Sequence, residues 1–167
     1  EQGEWHEQVV WNDKQQGLRA ERVLNLGAIE LQRQQLPRPS ADLVSHALLQ
    51  HLRDHGLNPL PWTERCEQLR RRLQIAHIHL GGSWPNRTLQ ELQSAPELWI
   101  RAASLSCSSW LDLDSHDLME ALWSDLSWQQ RRELEALLPE RLRIPSGRDA
   151  RVTYGDDDAV LSVKLQE

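Results

Sequence analysis

Residues able to carry chemistry occur in this chain in a few groupings, and most of them lack one element of the chemistry they suggest. His51 and His55 lie four apart in His51-Leu52-Arg53-Asp54-His55, a spacing that would put both imidazoles on one helix face and suit a metal ion. Leu52 follows the first His where a zinc protease helix carries its general base Glu, so the pair reads as solvated or capping histidines. His77 and His79, two apart, diverge around a helix and do not make a joint ligand set. Ser106-Cys107-Ser108-Ser109 offers hydroxyls and a thiol, but a nucleophile also needs a positioned base and an oxyanion pocket, and the run itself supplies neither. The acidic residues Asp112, Asp114, Asp117, Glu120 and Asp125 suit helix N-termini, where the dipole stabilises carboxylates, better than a metal cage. No glycine is followed by lysine, so there is no phosphate loop of the Gly-x-x-x-x-Gly-Lys type, and no dinucleotide fingerprint is present. The chain is expected to hold no catalytic residue, no cofactor and no metal of its own.

Arginines are more informative. Arg65, Arg70, Arg71 and Arg72 lie together with Glu64 and Glu67; the consecutive three fan around a helix, and the group reads as a solvated helix face. Arg141 and Arg143 alternate, so on a strand they project from one face, and Arg148 and Arg151 can join them across the Ser146-Gly147 turn. These four form the candidate nucleic-acid-binding surface, because guanidinium groups at alternate strand positions can engage successive phosphates. The competing reading is a polar sheet face neutralised by Glu140, Asp149 and Asp156.

The elements that must position these residues follow from the rest of the chain. At 167 residues, 39% hydrophobic and 26% charged, it suits one soluble domain with a real core. No run approaches the roughly 18 apolar residues of a membrane span, and Glu1-Gln2-Gly3-Glu4 does not resemble a signal peptide. Cys66 and Cys107 are read as ordinary thiols in a reducing, cytoplasmic compartment. The net charge is −6, so no overall basic field announces nucleic acid. Only Lys14 and Lys164 are lysines, Phe is absent and Trp occurs eight times; indoles so widely spread are expected to anchor a core.

Residues 1–36 read as strands: Trp5–Trp11, a polar turn through Gly17, then Leu18–Leu31 with a bulge at Gly27. Residues 40–138 read as four to five helices. Ser40 caps the first, with Leu43, Val44, Ala47, Leu48 and Leu52 as its stripe and Gly56 as its end. Thr63 starts the second, with Cys66, Leu69, Leu73, Ala76 and Leu80 inward, and Gly81-Gly82 closes it. Thr88, Asp114 or Ser115, and Ser127 cap later helices, and Ser104–Ser109 reads as a polar connector. Over residues 141–166 the period changes to two, a strand meander. The fold class is therefore α+β: an N-terminal β-hairpin, a helical middle and a C-terminal antiparallel meander, an arrangement that lets the terminal strands share one sheet.

Several ordered patches resemble the post-motor, C-terminal region of HrpB-type ATP-dependent helicases of the DEAH-box group. They are Gly17-Leu18-Arg19-Ala20, Arg22, Leu24, Leu26-Gly27-Ala28 and Leu36-Pro37; Arg53-Asp54-His55-Gly56-Leu57, Trp62-Thr63 and Glu67-Gln68-Leu69-Arg70; and Ile144-Pro145-Ser146-Gly147, Tyr154, Leu161-Ser162-Val163 and Leu165-Gln166-Glu167. The likeness is thinnest between Ile78 and Leu126. It implies a piece of a longer polypeptide whose upstream RecA-like motor domains bind ATP and magnesium and remodel nucleic acid, with this chain as a non-catalytic accessory module. It also implies the motor domains, and single-stranded RNA or DNA, as partners. A reading from another class is a protein-interaction module that uses exposed Trp and Arg as anchors.

Overall fold

The structure, a computed structural model, describes residues 3–35 and 39–155, and residues 159–162 by their backbone. The chain opens with β1 (Glu4–Asn12), β2 (Gly17–Leu26) and β3 (Ile29–Gln35), an antiparallel sheet in that order. The Asn12 carboxamide oxygen accepts from the Lys14 and Gln15 amides and shapes the first turn. The expected strand from Leu18 to Leu31 is in fact two strands: Gly27, at φ +60°, turns the chain back instead of bulging it, and the register irregularity falls at Leu24/Asn25. A left-handed φ in a turn is where glycine has no steric cost. The N-terminal hairpin thus becomes a three-stranded meander.

Among the described residues six α-helices follow: α1 (Ala41–His55), α2 (Glu64–Leu80), α3 (Leu89–Ser94), α4 (Arg101–Leu105), α5 (Ser115–Leu122) and α6 (Trp128–Leu137), with single 3-10 turns at Pro96–Leu98 and Trp110–Asp112. The Ser40, Thr63, Thr88, Asp114 and Ser127 side chains each accept from a first-turn amide of the helix that follows, satisfying donors that have no partner within the helix. Gly56 and Gly81 end α1 and α2 at positive φ. α4 takes up the start of the expected Ser104–Ser109 connector. Ser104 faces inward and shares a hydrogen bond of 2.5 Å with Ser45 of α1.

The main core lies between these helices. Leu48 and Leu52 of α1, Leu69 and Leu73 of α2, Ile100, Trp110, Leu118 and Leu122 of α5, and Leu134 of α6 pack into one cluster. Leu43 and Leu80, expected on the inward stripes, are exposed. Trp84, Trp99, Trp110 and Trp123 are buried, Trp11 and Trp62 pack against the same cluster, and Trp128 is 74% exposed. Most of the indoles therefore act as core anchors.

The first sheet joins this core at a close approach. Gly17 bridges Ser109, and the Trp110 amide donates to the Gln16 carbonyl at 2.9 Å. A Cβ on Gly17 would stand 2.5 Å from the Ser108 carbonyl oxygen.

The chain ends in β4 (Arg141–Arg143), β5 (Asp149–Tyr154) and β6 (Ala159–Ser162), a second antiparallel sheet. Among the described residues the two sheets are separate: the first packs by Trp11 and Leu18 on the main core, and the second packs by Val152 and Tyr154 on Ile75 of α2. The described terminal strands therefore do not share a sheet. Residues 156–158 of the turn that Gly155-Asp156-Asp157-Asp158 suggests between the last two strands, the expected strand beyond Ser162 and residues 36–38 lie outside the described residues.

Candidate nucleic-acid interface

Alternation in β5 sets the geometry of the arginine surface. Ala150, Val152 and Tyr154 are buried while Asp149 and Arg151 are exposed, the period-two pattern of a strand with one face on a core. Register then places Arg141 directly opposite Arg151, and Arg143 opposite Asp149. Arg148 lies in the connecting turn, where its carbonyl accepts from the Ile144 amide at 3.0 Å and Gly147 supplies φ +85°. All four arginines are exposed. The strand pair thus brings Arg141 and Arg151 together with Arg143 two positions along, and Arg148 stands at the turn end.

Of the carboxylates expected to neutralise this face, Glu140 is turned toward α2 and Asp149 forms no ion pair among the described residues. Glu140 lies 3.3 Å from Arg65 and 3.7 Å from Arg72, both on α2. Arg151 reaches Glu64 at 3.7 Å. Among the described residues Arg141, Arg143 and Arg148 form no ion pair. Asp149 faces Arg143 by register alone, and Asp156 lies outside the described residues.

The α2 arginines correct the expectation of a solvated helix face. Arg70 and Arg72 are 4% and 1% exposed. Arg70 holds Glu67 and donates to the Arg87 carbonyl at 3.2 Å. Arg72 donates to the Leu138 carbonyl at 2.6 Å and lies 2.9 Å from Glu135. Arg71 donates to the Tyr154 carbonyl at 3.0 Å. Consecutive residues fan through about 100° each, so one side of α2 reaches α6 and another reaches the second sheet. The long aliphatic stems fill those gaps while paired guanidiniums satisfy buried carbonyls. Between α2, β4 and β5 there remains a cleft of about 390 Å3 whose walls include Arg65, Arg72, Arg141 and Arg151. The sequence alone does not join Arg65 and Arg72 to the strand set, because nothing local shows that α2 packs on that sheet.

Other groupings resolve into structural roles. His51 stacks on Trp11 with ring centroids 3.7 Å apart and 12° between planes, and burial holds its pKa below the ordinary imidazole value. His77 Nδ1 lies 2.7 Å from the Trp84 carbonyl oxygen. Burial, and then Asp112 and Asp117, push the Cys107 thiol up to about 11, so it stays protonated at neutral pH and is a poor nucleophile. Both cysteines are buried and free. Asp114 and Asp117 cap α5 reciprocally, and Asp112 accepts from the Ser108 and Ser109 amides. Among the described residues no group of three or more His, Cys, Asp or Glu could hold a metal ion, and no helix is long and apolar enough to cross a membrane.

Comparison with known proteins supplies the context for this surface. Residues 99–167 match the family model described as ATP-dependent helicase C-terminal, and residues 2–36 match the connector region of ATP-dependent RNA helicase HrpB. Over 161 residues the chain is 35% identical to the ATP-dependent RNA helicase HrpB of Escherichia coli strain K12, covering 95% of this chain and 20% of that protein. The chain is thus similar to the C-terminal region of HrpB-type ATP-dependent helicases. A crystal structure of the E. coli DExH-box NTPase HrpB superposes with a TM-score of 0.71 at 33% identity, over 98% of this chain and 20% of that one. A crystal structure of the Escherichia coli DEAH/RHA helicase HrpB gives 0.70 at 33% identity, over 100% and 22%. The chain therefore spans about a fifth of the length of these HrpB relatives. The C-terminal match begins at residue 99, so it takes in part of the stretch where motif likeness is thinnest, and the arginine surface lies inside it.

Proposed function

We propose that this chain is a non-catalytic accessory module of an ATP-dependent RNA helicase, packing against motor domains of the same polypeptide and guiding a single strand of RNA or DNA. The observation that carries the nucleic-acid part is that Arg141, Arg143 and Arg148, exposed on or beside one strand pair, have no ion-pair partner among the described residues. Its support from the relatives is that the C-terminal region of an ATP-dependent helicase matches the same residues. Phosphate contacts of this kind position a strand without reading its bases.

ATP and magnesium belong, in this reading, to the motor domains. The residues of this chain do not fit them, since no glycine precedes a lysine and the acidic residues Asp112, Asp114 and Asp117 are occupied in capping. No step of nucleotide hydrolysis is assigned to it. The same reading puts the module in the cytoplasm, where two buried free thiols remain reduced.

A second reading, a protein-docking module, draws on one observation. Trp128 is 74% exposed at the start of α6 and shares a shallow hollow with Arg132 one turn on, and Trp and Arg are frequent interface anchors. Binding of single-stranded RNA by the chain separates the two. Affinity that falls steeply between low and moderate salt supports strand guiding; absent or salt-independent affinity supports protein docking.

A further inference from the structure

The cleft between α2 and the second sheet carries more positive charge than its own acids neutralise. Arg65 and Arg72 from α2, Arg141 from β4 and Arg151 from β5 line it against a single carboxylate, Glu140, in a chain whose net charge is −6. Like charges directly opposed on neighbouring strands repel, and Arg141 and Arg151 are so opposed. At about 390 Å3 the space lies in the roughly 300–1,000 Å3 range of small-ligand sites.

Partners already present leave the rim open. Arg72 is buried, fixed by the Leu138 carbonyl and paired with Glu135, so it forms a neutralised floor and leaves the rim arginines to meet a ligand. Arg65 and Glu140 are 69% and 40% exposed, and Arg151 and Glu64 are 53% and 69% exposed. Pairs so exposed contribute little and exchange readily. Arg141 has no ion pair among the described residues. Guanidinium forks from separate elements can each take two phosphate oxygens.

We infer that this cleft seats one phosphate group of a single-stranded nucleic acid, with Arg65 of α2 on one wall and Arg141, beside Arg151, on the sheet wall donating to it above a floor formed by Arg72. The inference rests on the strand-guiding reading and deepens it, because it adds helix α2 to a surface otherwise confined to the strands. A free phosphate has the same chemistry, and the two sources are separable.

The test titrates the 167-residue chain with a labelled single-stranded RNA and, separately, with inorganic phosphate over a range of salt concentrations, in wild type and in Arg65→Ala, Arg141→Ala and Arg143→Ala. Arg65 is well exposed, so its replacement leaves folding intact. The expected result is that Arg65→Ala and Arg141→Ala each weaken RNA binding about fivefold and lower the slope of log affinity against log salt by about 0.7, the value for one phosphate neutralised on a single strand. RNA affinity unchanged in Arg65→Ala but reduced in Arg143→Ala overturns the cleft and leaves the strand surface standing. Tight binding of inorganic phosphate that depends on Arg65, with RNA binding indifferent to it, overturns the nucleic-acid assignment of the cleft. Wild-type chain with no RNA affinity overturns the cleft and the strand-guiding reading together.

Discussion

The side-chain carboxamide of Gln68 pairs with the backbone of Tyr154 on both sides: the Tyr154 amide donates to Gln68 Oε1 at 2.7 Å, and Gln68 Nε2 donates to the Tyr154 carbonyl at 3.2 Å. A helix side chain thus stands where another strand residue would. The Tyr154 hydroxyl donates to the Pro139 carbonyl at 2.6 Å, so this one residue ties the second sheet to α2 and to the chain leaving α6. The same tie seats on α2 the sheet whose β4–β5 pairing opposes Arg141 to Arg151.

Gln68→Ala leaves the Tyr154 amide without its partner and is expected to cost about 1–3 kcal/mol, the penalty for an unsatisfied buried group. Gln68→Glu keeps the acceptor, and Arg71 still donates to the Tyr154 carbonyl, so its destabilisation is expected to be smaller. Urea denaturation of both variants at neutral pH checks the order.

Gly17→Ala forces a Cβ against the Ser108 carbonyl, where it would stand at 2.5 Å, and is expected to destabilise the chain by about 1–3 kcal/mol through overpacking. Gly82→Ala, with nothing within 4 Å of its Cβ, is expected to stay within about 0.5 kcal/mol of the parent. Thermal melting of the two variants compares them.

Glu21 gives the first sheet an acid limit. Its side chain is 1% exposed and is held by Arg19, by Arg33 at 2.6 Å and by Gln8 at 3.2 Å. The Arg19 hydrogen bond, followed by Gln8 and Arg33, outweighs burial and holds its carboxyl below the ordinary value. A depressed folded pKa contributes stability that is fully present above the unfolded value of about 4.3 and disappears as pH falls through the folded value. Glu21→Gln is expected to lose stability at neutral pH and to show a shallower acid limb in a stability-against-pH series.

His51 acts in the same direction at higher pH. Burial, then the neighbouring His55, lowers its pKa against the pull of Asp13 and Asp54. The unfolded chain therefore takes up the proton first, and folding stability is expected to fall as pH drops below about 6.5. His51→Phe keeps a ring on Trp11 and removes the titration, so denaturation midpoints between pH 7 and 5 should change less in that variant.

Local chemistry is legible in the sequence, and tertiary burial is not. Ser40, Thr63, Thr88, Asp114 and Ser127 cap helices because a side-chain oxygen needs only its own first turn. The alternation of β5 likewise places Arg141 and Arg151 together. Gly27 is ambiguous because a bulge and a tight turn both call for glycine, and only the pairing of β2 with β3 distinguishes them. Whether the terminal strands meet depends on what each sheet packs against, information spread over α2 and the Trp110 region. Arg70 and Arg72 look solvated in the sequence for the same reason: their carbonyl partners, Arg87 and Leu138, lie 17 and 66 positions away.

The salt dependence of single-stranded RNA binding in wild type and the Arg143→Glu, Arg148→Glu double variant tests the strand-guiding account most directly. Wild type is expected to bind with affinity that falls steeply as salt rises, and the double variant to bind more weakly with a slope shallower by about 0.7 for each phosphate no longer neutralised. Equal affinity and equal slope in the two proteins would contradict it.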